Sequence, residues 1–205
     1  MTALMVILVA GIFVIPVITQ GDDVGRAVND IALTLILLSG AAAVFAPRPF
    51  PMAAAILCGV AIVLRWAEWA VPPGWWSFAH TGSALLALFL VTAIVAFRVF
   101  GADLTTVTAD RVVGAIVLYL LLGIVWAAAY ELVATHVADA FSGVRPTGSG
   151  PQRWLYFSFV TLTTVGYGDL VPVAPAARSL ATLEALLGQL YPAIILARLV
   201  SLQIK

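Results

Sequence analysis

Long apolar segments dominate this sequence and limit the folds that are open to it. A helix that crosses the hydrocarbon core of a bilayer needs about 20 mainly apolar residues, because no backbone polar group can stay unpaired there. Segments that meet or approach this length number six: residues 3–19, 27–46, 52–71, 83–100, 112–137 and 178–202. The sequence therefore predicts an all-α membrane protein with six transmembrane helices.

The composition agrees with a chain that lies in lipid. Of the 205 residues, 63% are hydrophobic and only 10% are charged, whereas soluble domains are about a quarter charged. Ten basic and ten acidic residues cancel, so the sequence lacks the basic surface that nucleic-acid binding requires. Cys58 is the single cysteine, which excludes an intrachain disulfide. We expect the lipid bilayer, and no nucleic acid, among the partners of this chain.

A different kind of segment lies between the fifth and sixth apolar stretches. A polar loop is predicted at residues 142–151, and the apolar run 154–162 that follows is too short to cross a bilayer. Such a length suits a re-entrant half-helix, which is tolerated only where protein or a water-filled cavity surrounds it. This unit of span, half-helix and span occurs once in the chain.

The run of residues 163–169 reads Thr-Thr-Val-Gly-Tyr-Gly-Asp and directly follows the predicted half-helix. Backbone carbonyl groups can line one side of a loop only if some residues adopt angles that glycine alone visits cheaply. Gly166 and Gly168 supply such positions. A bare Gly-x-Gly is most often an ordinary turn, but the whole run, bracketed by two spans, favours a loop that binds a dehydrated cation with its carbonyl oxygens.

The region 112–205 resembles the potassium channel superfamily through this run and its surroundings. The resemblance implies a homotetramer in which four loops surround one axis and form a selectivity filter. It assigns the K⁺-coordinating carbonyls to Thr164, Val165, Gly166 and Tyr167, with the Thr164 hydroxyl as a further ligand. Gly168 and Asp169 would support the filter and form its outer mouth.

Further positions carry over from the same resemblance. Tyr156 and Phe157 stand where the family usually has an aromatic pair, although the first of these is usually tryptophan. A hydrogen bond from Tyr156 to Asp169 is expected on this basis. Val160 stands where some bacterial relatives have a glutamate paired with the filter aspartate, and this departure leaves open how the filter is braced.

The last segment carries two features that predict a bend. By resemblance, Gly188 is the gating glycine of the inner helix. Pro192 lacks the N–H that would bind the Gly188 carbonyl four residues earlier, so both weak points fall in one helical turn. The alternative is that Gly188 only allows a neighbouring element to pack closely.

Two polar residues of the same segment would lie at membrane depth, where polar side chains are usually functional. The resemblance turns Gln189 toward the water-filled cavity below the filter. Glu184 lies five residues earlier, ~140° around the helix. It should therefore face away from the pore, toward a hydroxyl of Ser158, Thr161 or Thr163. A structural role, with a hydrogen-bonded carboxyl group that can be protonated, is favoured over a proton-sensing gate.

The first four segments do not resemble a voltage sensor. The fourth contains one basic residue, Arg98, whereas a sensor helix carries several because each charge gains only about 2.3 kcal/mol per 100 mV. Arg65 and Glu68 are expected to pair with each other or with neighbouring helices. The predicted organisation is a four-helix non-pore region at 1–100, a cytoplasmic linker at 101–111 and a pore domain at 112–205.

The sequence thus predicts a passive potassium channel and not an enzyme, without a cofactor other than K⁺ ions in the filter. Its expected location is the plasma membrane, as a multi-pass protein of a prokaryotic inner membrane. Gating by the inner helix or the filter is expected. A poorly selective cation channel and a non-conducting regulatory subunit are the alternatives, and the opening stimulus stays open.

Overall fold

The chain forms helices over most of its length, and a computed structural model describes residues 1–14, 23–44, 51–67, 76–101, 109–143 and 151–203. The helices are α1 (Thr2–Val9, continued by a π-helical segment at Ala10–Val14), α2 (Asp23–Val44), α3 (Pro51–Ala67), α4 (Trp76–Gly101), α5 (Ala109–His136), α6 (Pro151–Leu162) and α7 (Pro175–Gln203). Two short strands, β1 (Phe141–Gly143) and β2 (Leu170–Pro172), flank α6.

Two helices are long and apolar enough to cross a membrane within the described residues. These are Thr81–Phe100 of α4 and Asp110–His136 of α5. Shorter apolar stretches occupy Thr2–Val14, Ala27–Gly40 and Ala55–Ala67. The predicted mainly helical fold is confirmed, whereas the count of six spans stays a prediction.

Of the front helices, α1 and α4 pack against α5 of their own chain, while α2 and α3 pack on α4. Leu8 of α1, Leu88 of α4 and Leu121 of α5 belong to one buried apolar core. The amino group of Met1 lies 3.9 Å from the carboxylate of Asp110, so α1 and α5 begin on the same face of the molecule. Within this chain, the non-pore helices thus rest on the helix that precedes the half-helix.

Helix ends differ from the ends of the apolar runs. Helix α4 includes Gly101 and α5 begins at Ala109, so the predicted linker 101–111 is helical at both ends. Residues 102–108 lie outside the described part of the chain. The difference arises because backbone hydrogen bonding, and not the first polar side chain, decides where a helix stops.

The polar loop predicted at 142–151 is wrong for its first two residues. Strands β1 and β2 are antiparallel, with Ser142 opposite Val171 and Gly143 opposite Leu170. Gly143 has φ +137, and a Cβ there would overlap the carbonyl oxygen of Asp169. This close approach requires glycine. It ties the segment after α5 to the segment after residues 163–169, which we call the filter run because of their resemblance to a potassium channel filter.

Candidate ion-binding site

Helix α6 is the predicted half-helix, and its existence is confirmed. It has 12 residues and begins at Pro151, where proline costs no hydrogen bond because the first helical N–H groups are unpaired anyway. Trp154, Phe157 and Leu162 are buried against α5 and α7. The ring of Phe157 lies 4.8 Å from that of Tyr130 on α5, which fixes the direction of α6.

Immediately after α6, the backbone alternates between two conformations. Thr164, Gly166 and Gly168 have φ of +60, +57 and +79, while Val165 and Tyr167 between them do not have positive φ. Such alternation brings successive N–H groups to one side of the chain and the carbonyl groups to the other. Carbonyl groups on one side of a loop are the arrangement that binding of a dehydrated cation would require.

Thr164 is the member of this alternation that sequence reasoning missed. The two glycines were expected to supply the left-handed angles, but the pattern extends one step earlier, to a residue with a branched side chain. Left-handed backbone costs roughly 1–2 kcal/mol in a residue with a Cβ. The alternation itself, counted back two residues from Gly166, was the signal that could have revealed it.

Hydrogen bonds to the end of α6 hold the start of the run. The carbonyl oxygen of Val160 accepts from the N–H of Val165 at 2.9 Å and of Gly166 at 3.3 Å. Thr163 donates both its N–H and its hydroxyl to the Phe159 carbonyl, at 3.0 and 2.6 Å. The first residues of the filter run are thus hydrogen-bonded to the last turn of α6, and α6 determines where the run begins.

The filter side chains are open in the single chain. Tyr167 is 71% exposed and Val165 is 52% exposed, although both are large and apolar. A Cβ added at Gly166 or Gly168 would meet nothing within 4 Å. Glycine is therefore required at these two positions by backbone conformation and not by crowding within the chain.

Tyr156 braces the outer end of the run. Its hydroxyl donates to Oδ2 of Asp169 at 2.8 Å, while Oδ1 accepts from the N–H of Leu170 at 3.0 Å. Its ring stacks on that of Tyr167, with centroids 6.5 Å apart and planes 5° apart. The hydrogen bond expected between Tyr156 and Asp169 is present, and Val160 offers no carboxylate to replace it.

We expect Tyr156→Phe to shorten the time for which the filter stays conducting. The variant keeps the stacked ring but removes the donor to Oδ2 of Asp169, so the carboxylate is held less firmly. The measurement is the decay of K⁺ current during sustained opening, with Tyr156→Leu as a control that removes the ring as well. An unchanged decay in the phenylalanine variant would contradict a bracing role for the hydroxyl.

Helix α7 carries the other predicted site residues, and of these Gln189 reaches the 163–169 run through a hydrogen bond. Nε2 of Gln189 lies 3.3 Å from the Thr164 hydroxyl oxygen, at the inner end of the run. Glu184 is buried on another side of the helix, in contact with Ser158, one of the three hydroxyls named from the sequence. Nothing in the sequence indicated the second partner of Glu184, Tyr130.

Gly188 lies directly against the end of α6. A Cβ at this position would overlap the carbonyl oxygen of Leu162. Pro192 lies within the continuous helix α7, and the adjacent Tyr191 donates to the Ala115 carbonyl of α5 at 2.6 Å. The contact accounts for glycine by close packing, the alternative left open by the sequence, and the hinge stays a prediction.

Comparison with known proteins places this arrangement in a family. A family model described as an ion channel matches residues 114–204. This region belongs to the potassium channel superfamily. The resemblance stated from the sequence is thereby confirmed for the ion channel region, which contains α6, the filter run and α7.

Similar proteins are potassium channels by name. The inward rectifier potassium channel Kirbac3.1 of Paramagnetospirillum magnetotacticum is 41% identical over 73 residues, which is 36% of this chain and 23% of that protein. Two pore potassium channel b of Oryza sativa subsp. japonica is 49% identical over 72 residues, 35% of this chain and 18% of its own length. Two-pore potassium channel 1 of Arabidopsis thaliana is 45% identical over 71 residues, covering 35% and 17%.

The similarity is confined to part of each protein. This chain covers less than a quarter of the length of any of these three relatives. No solved structure matches the chain significantly. The comparisons therefore bear on the ion channel region, and the activity of the whole protein is a matter for proposal.

Proposed function

We propose that this chain is one subunit of a homotetrameric, potassium-selective channel that conducts by passive diffusion. The alternation of backbone angles from Thr164 to Gly168 carries the proposal, because it provides the row of carbonyl oxygens that a dehydrated K⁺ ion needs. The proposed protein is not an enzyme, and the K⁺ ions in the filter are the only bound ligands that the proposal requires.

Assembly of four chains follows from the single filter run. One run lines only one side of an ion, whereas a ring of oxygens requires several copies around an axis. The exposed Val165 and Tyr167 would be buried by neighbouring chains. Large apolar side chains are also exposed along α7, and such a stripe marks a contact with protein or with lipid, the first of which the proposed assembly would supply: Leu183, Leu186, Leu187, Leu190 and Ile194.

Conduction then proceeds by exchange of ligands. An entering ion is attracted by the carboxylate of Asp169 at the outer mouth and sheds its water as carbonyl oxygens take its place. It moves between successive rings and leaves past the Thr164 hydroxyl into the cavity beside Gln189. Several weak sites in a row let ions enter and still leave, which conduction requires.

The proposed topology has six spans and both chain ends in the cytoplasm of a prokaryotic cell, with the filter facing outward. The nearness of Met1 to Asp110 supports placing the start of α1 and the start of α5 on the same side. Gating is assigned to α7 or to the filter. In α4, Arg98 is the one arginine or lysine, which supports the absence of a standard voltage sensor.

Flux from proteoliposomes under K⁺ and Na⁺ gradients tests the proposal. The wild-type protein should pass K⁺ in large preference to Na⁺. Gly166→Ala should lose that preference, because alanine at φ +57 costs roughly 1–2 kcal/mol in each of four chains and the run is expected to rearrange.

Gly59→Ala is the matched control, since its added Cβ also meets nothing within 4 Å and its φ is not positive. This variant should keep the wild-type preference. Equal wild-type fluxes for the two ions would indicate a poorly selective channel. Absence of any flux would favour a non-conducting regulatory subunit.

A further inference from the structure

A chain of hydrogen bonds crosses the space between α5, α6 and α7. The hydroxyl of Tyr130 on α5 lies 2.5 Å from Oε2 of Glu184 on α7. The other carboxyl oxygen, Oε1, lies 2.5 Å from the hydroxyl oxygen of Ser158 on α6. That same hydroxyl oxygen lies 2.7 Å from the carbonyl oxygen of Gly123 on α5. Tyr130, Ser158 and Glu184 are each 0% exposed.

The number of protons available in this series of hydrogen bonds indicates the protonation state of Glu184. A serine hydroxyl has one proton, whereas both oxygens near Ser158 would be acceptors if the carboxyl group were ionised. One of the two short oxygen–oxygen contacts would then contain no proton, which is unfavourable in a buried place. A proton on Oε1 resolves this, because Glu184 then donates to Ser158, and Ser158 donates to Gly123.

Among the described residues, the hydrogen-bond partners of the Glu184 carboxyl group, Tyr130 and Ser158, are uncharged. The titratable groups near it are two tyrosines of α5, Tyr130 and Tyr119, which are neutral donors. The ion pairs between Met1 and Asp110 and between Asp30 and Arg65 do not involve Glu184. An unpaired buried carboxylate is costly, so burial and hydrogen count agree.

We propose that Glu184 is held as a neutral carboxylic acid and is the residue through which α7 positions the half-helix behind the filter. As both donor and acceptor, it links Tyr130 to Ser158 and Gly123, so that one side chain fixes α6 to both neighbouring helices. Glu184 contacts no filter residue and acts through α6. The link to conduction rests on the proposed function, but the protonation state does not.

Infrared spectroscopy of the reconstituted full chain tests the protonation state without any flux. A carbonyl stretch of a protonated carboxylic acid should be present at neutral pH and should vanish in Glu184→Gln. Identical spectra of wild type and variant in that region would overturn the proposal. Failure of the channel to conduct would leave this measurement unaffected.

Two substitutions test the positioning role. In Glu184→Gln, the amide oxygen accepts from Tyr130 and the amide N–H donates to Ser158, which copies the neutral acid. We expect its unfolding temperature to match the wild type and its K⁺ flux to lie within twofold. Glu184→Leu keeps the volume but neither donates nor accepts, so flux should fall at least tenfold and the unfolding temperature should drop.

Ser158→Ala supplies a second measurement, since it leaves the acid proton of Glu184 without its acceptor. Its unfolding temperature should fall, and the infrared band should shift rather than vanish. The proposal fails if the glutamine variant is as damaged as the leucine variant, because glutamine copies a neutral acid and not a carboxylate. Since unfolding and infrared readouts need no conduction, they separate this outcome from failure of the proposed function.

Discussion

Gly188→Ala is expected to lower the unfolding temperature of the protein markedly and to remove most of its K⁺ flux. The added Cβ would overlap the Leu162 carbonyl oxygen, which belongs to the backbone and has no rotamer through which to escape. Overpacking of this kind costs roughly 1–3 kcal/mol per site. Leu162 is followed by Thr163 and Thr164, so displacement of its carbonyl passes directly into the filter run.

A hinge at Gly188 would give the opposite result for stability. Alanine favours helix over glycine by roughly 1 kcal/mol, so a variant that merely stiffens α7 should unfold at an equal or higher temperature and only open less often. Thermal unfolding in detergent, measured beside K⁺ flux, separates the two roles. Gly59→Ala is the control for the general effect of the substitution, since its Cβ meets nothing within 4 Å.

Much of the pore region could be predicted because its structure depends on residues that are close together in the sequence. An apolar run that is too short to span predicts a half-helix, and α6 ends at Leu162 as expected. Gly166 and Gly168 were recognised from the backbone angles that a carbonyl-lined loop needs, and both have positive φ. These features depend on residues a few positions apart, which a sequence displays directly.

Other features depend on partners that are distant in the sequence. Tyr130 and Glu184 are 54 residues apart, and nothing in the sequence around either residue identifies the other as its partner. The pairing of β1 with β2 was hidden because Ser142 and Gly143 are typical loop residues, and only their antiparallel partners make them a strand. Packing between elements, and not local preference, determines such contacts.

Arg65 shows the same limit in the front helices. Pairing with Glu68 or with neighbouring helices was expected. Nε of Arg65 donates to Oδ1 of Asp30 at 2.5 Å, which joins α3 to α2 across 35 residues of sequence. Glu68 lies outside the described residues. Of the two expected arrangements, the structure therefore shows the pairing of Arg65 with a neighbouring helix.

Arg65→Leu is expected to produce the largest loss of stability outside the pore. The two side chains are only 12% and 10% exposed, so the substitution removes the Arg65 guanidinium from beside a buried carboxylate. Removal of one partner from a buried ion pair typically costs roughly 3–5 kcal/mol. The measurement is the unfolding temperature in detergent, with Arg98→Leu as a control at an arginine of α4 that has no ion pair within the described residues.

The double variant Asp30→Asn/Arg65→Leu shows whether the buried charge is the cause. It removes both charges, so it should recover more than half of the stability that the single variant loses. Equal damage in both would mean that Arg65 acts through packing and not through its charge.

Ion selectivity should survive in each of these variants, because Arg65 reaches the pore only indirectly. Arg65 lines a cavity of about 70 Å³ together with Glu131 of α5 and Leu155 of α6. These residues precede the filter run in the sequence and are not part of it. The front helices would then contribute to holding the half-helix in place without touching an ion. A changed preference for K⁺ over Na⁺ in Arg65→Leu would contradict this separation and would make the front helices part of the selectivity mechanism.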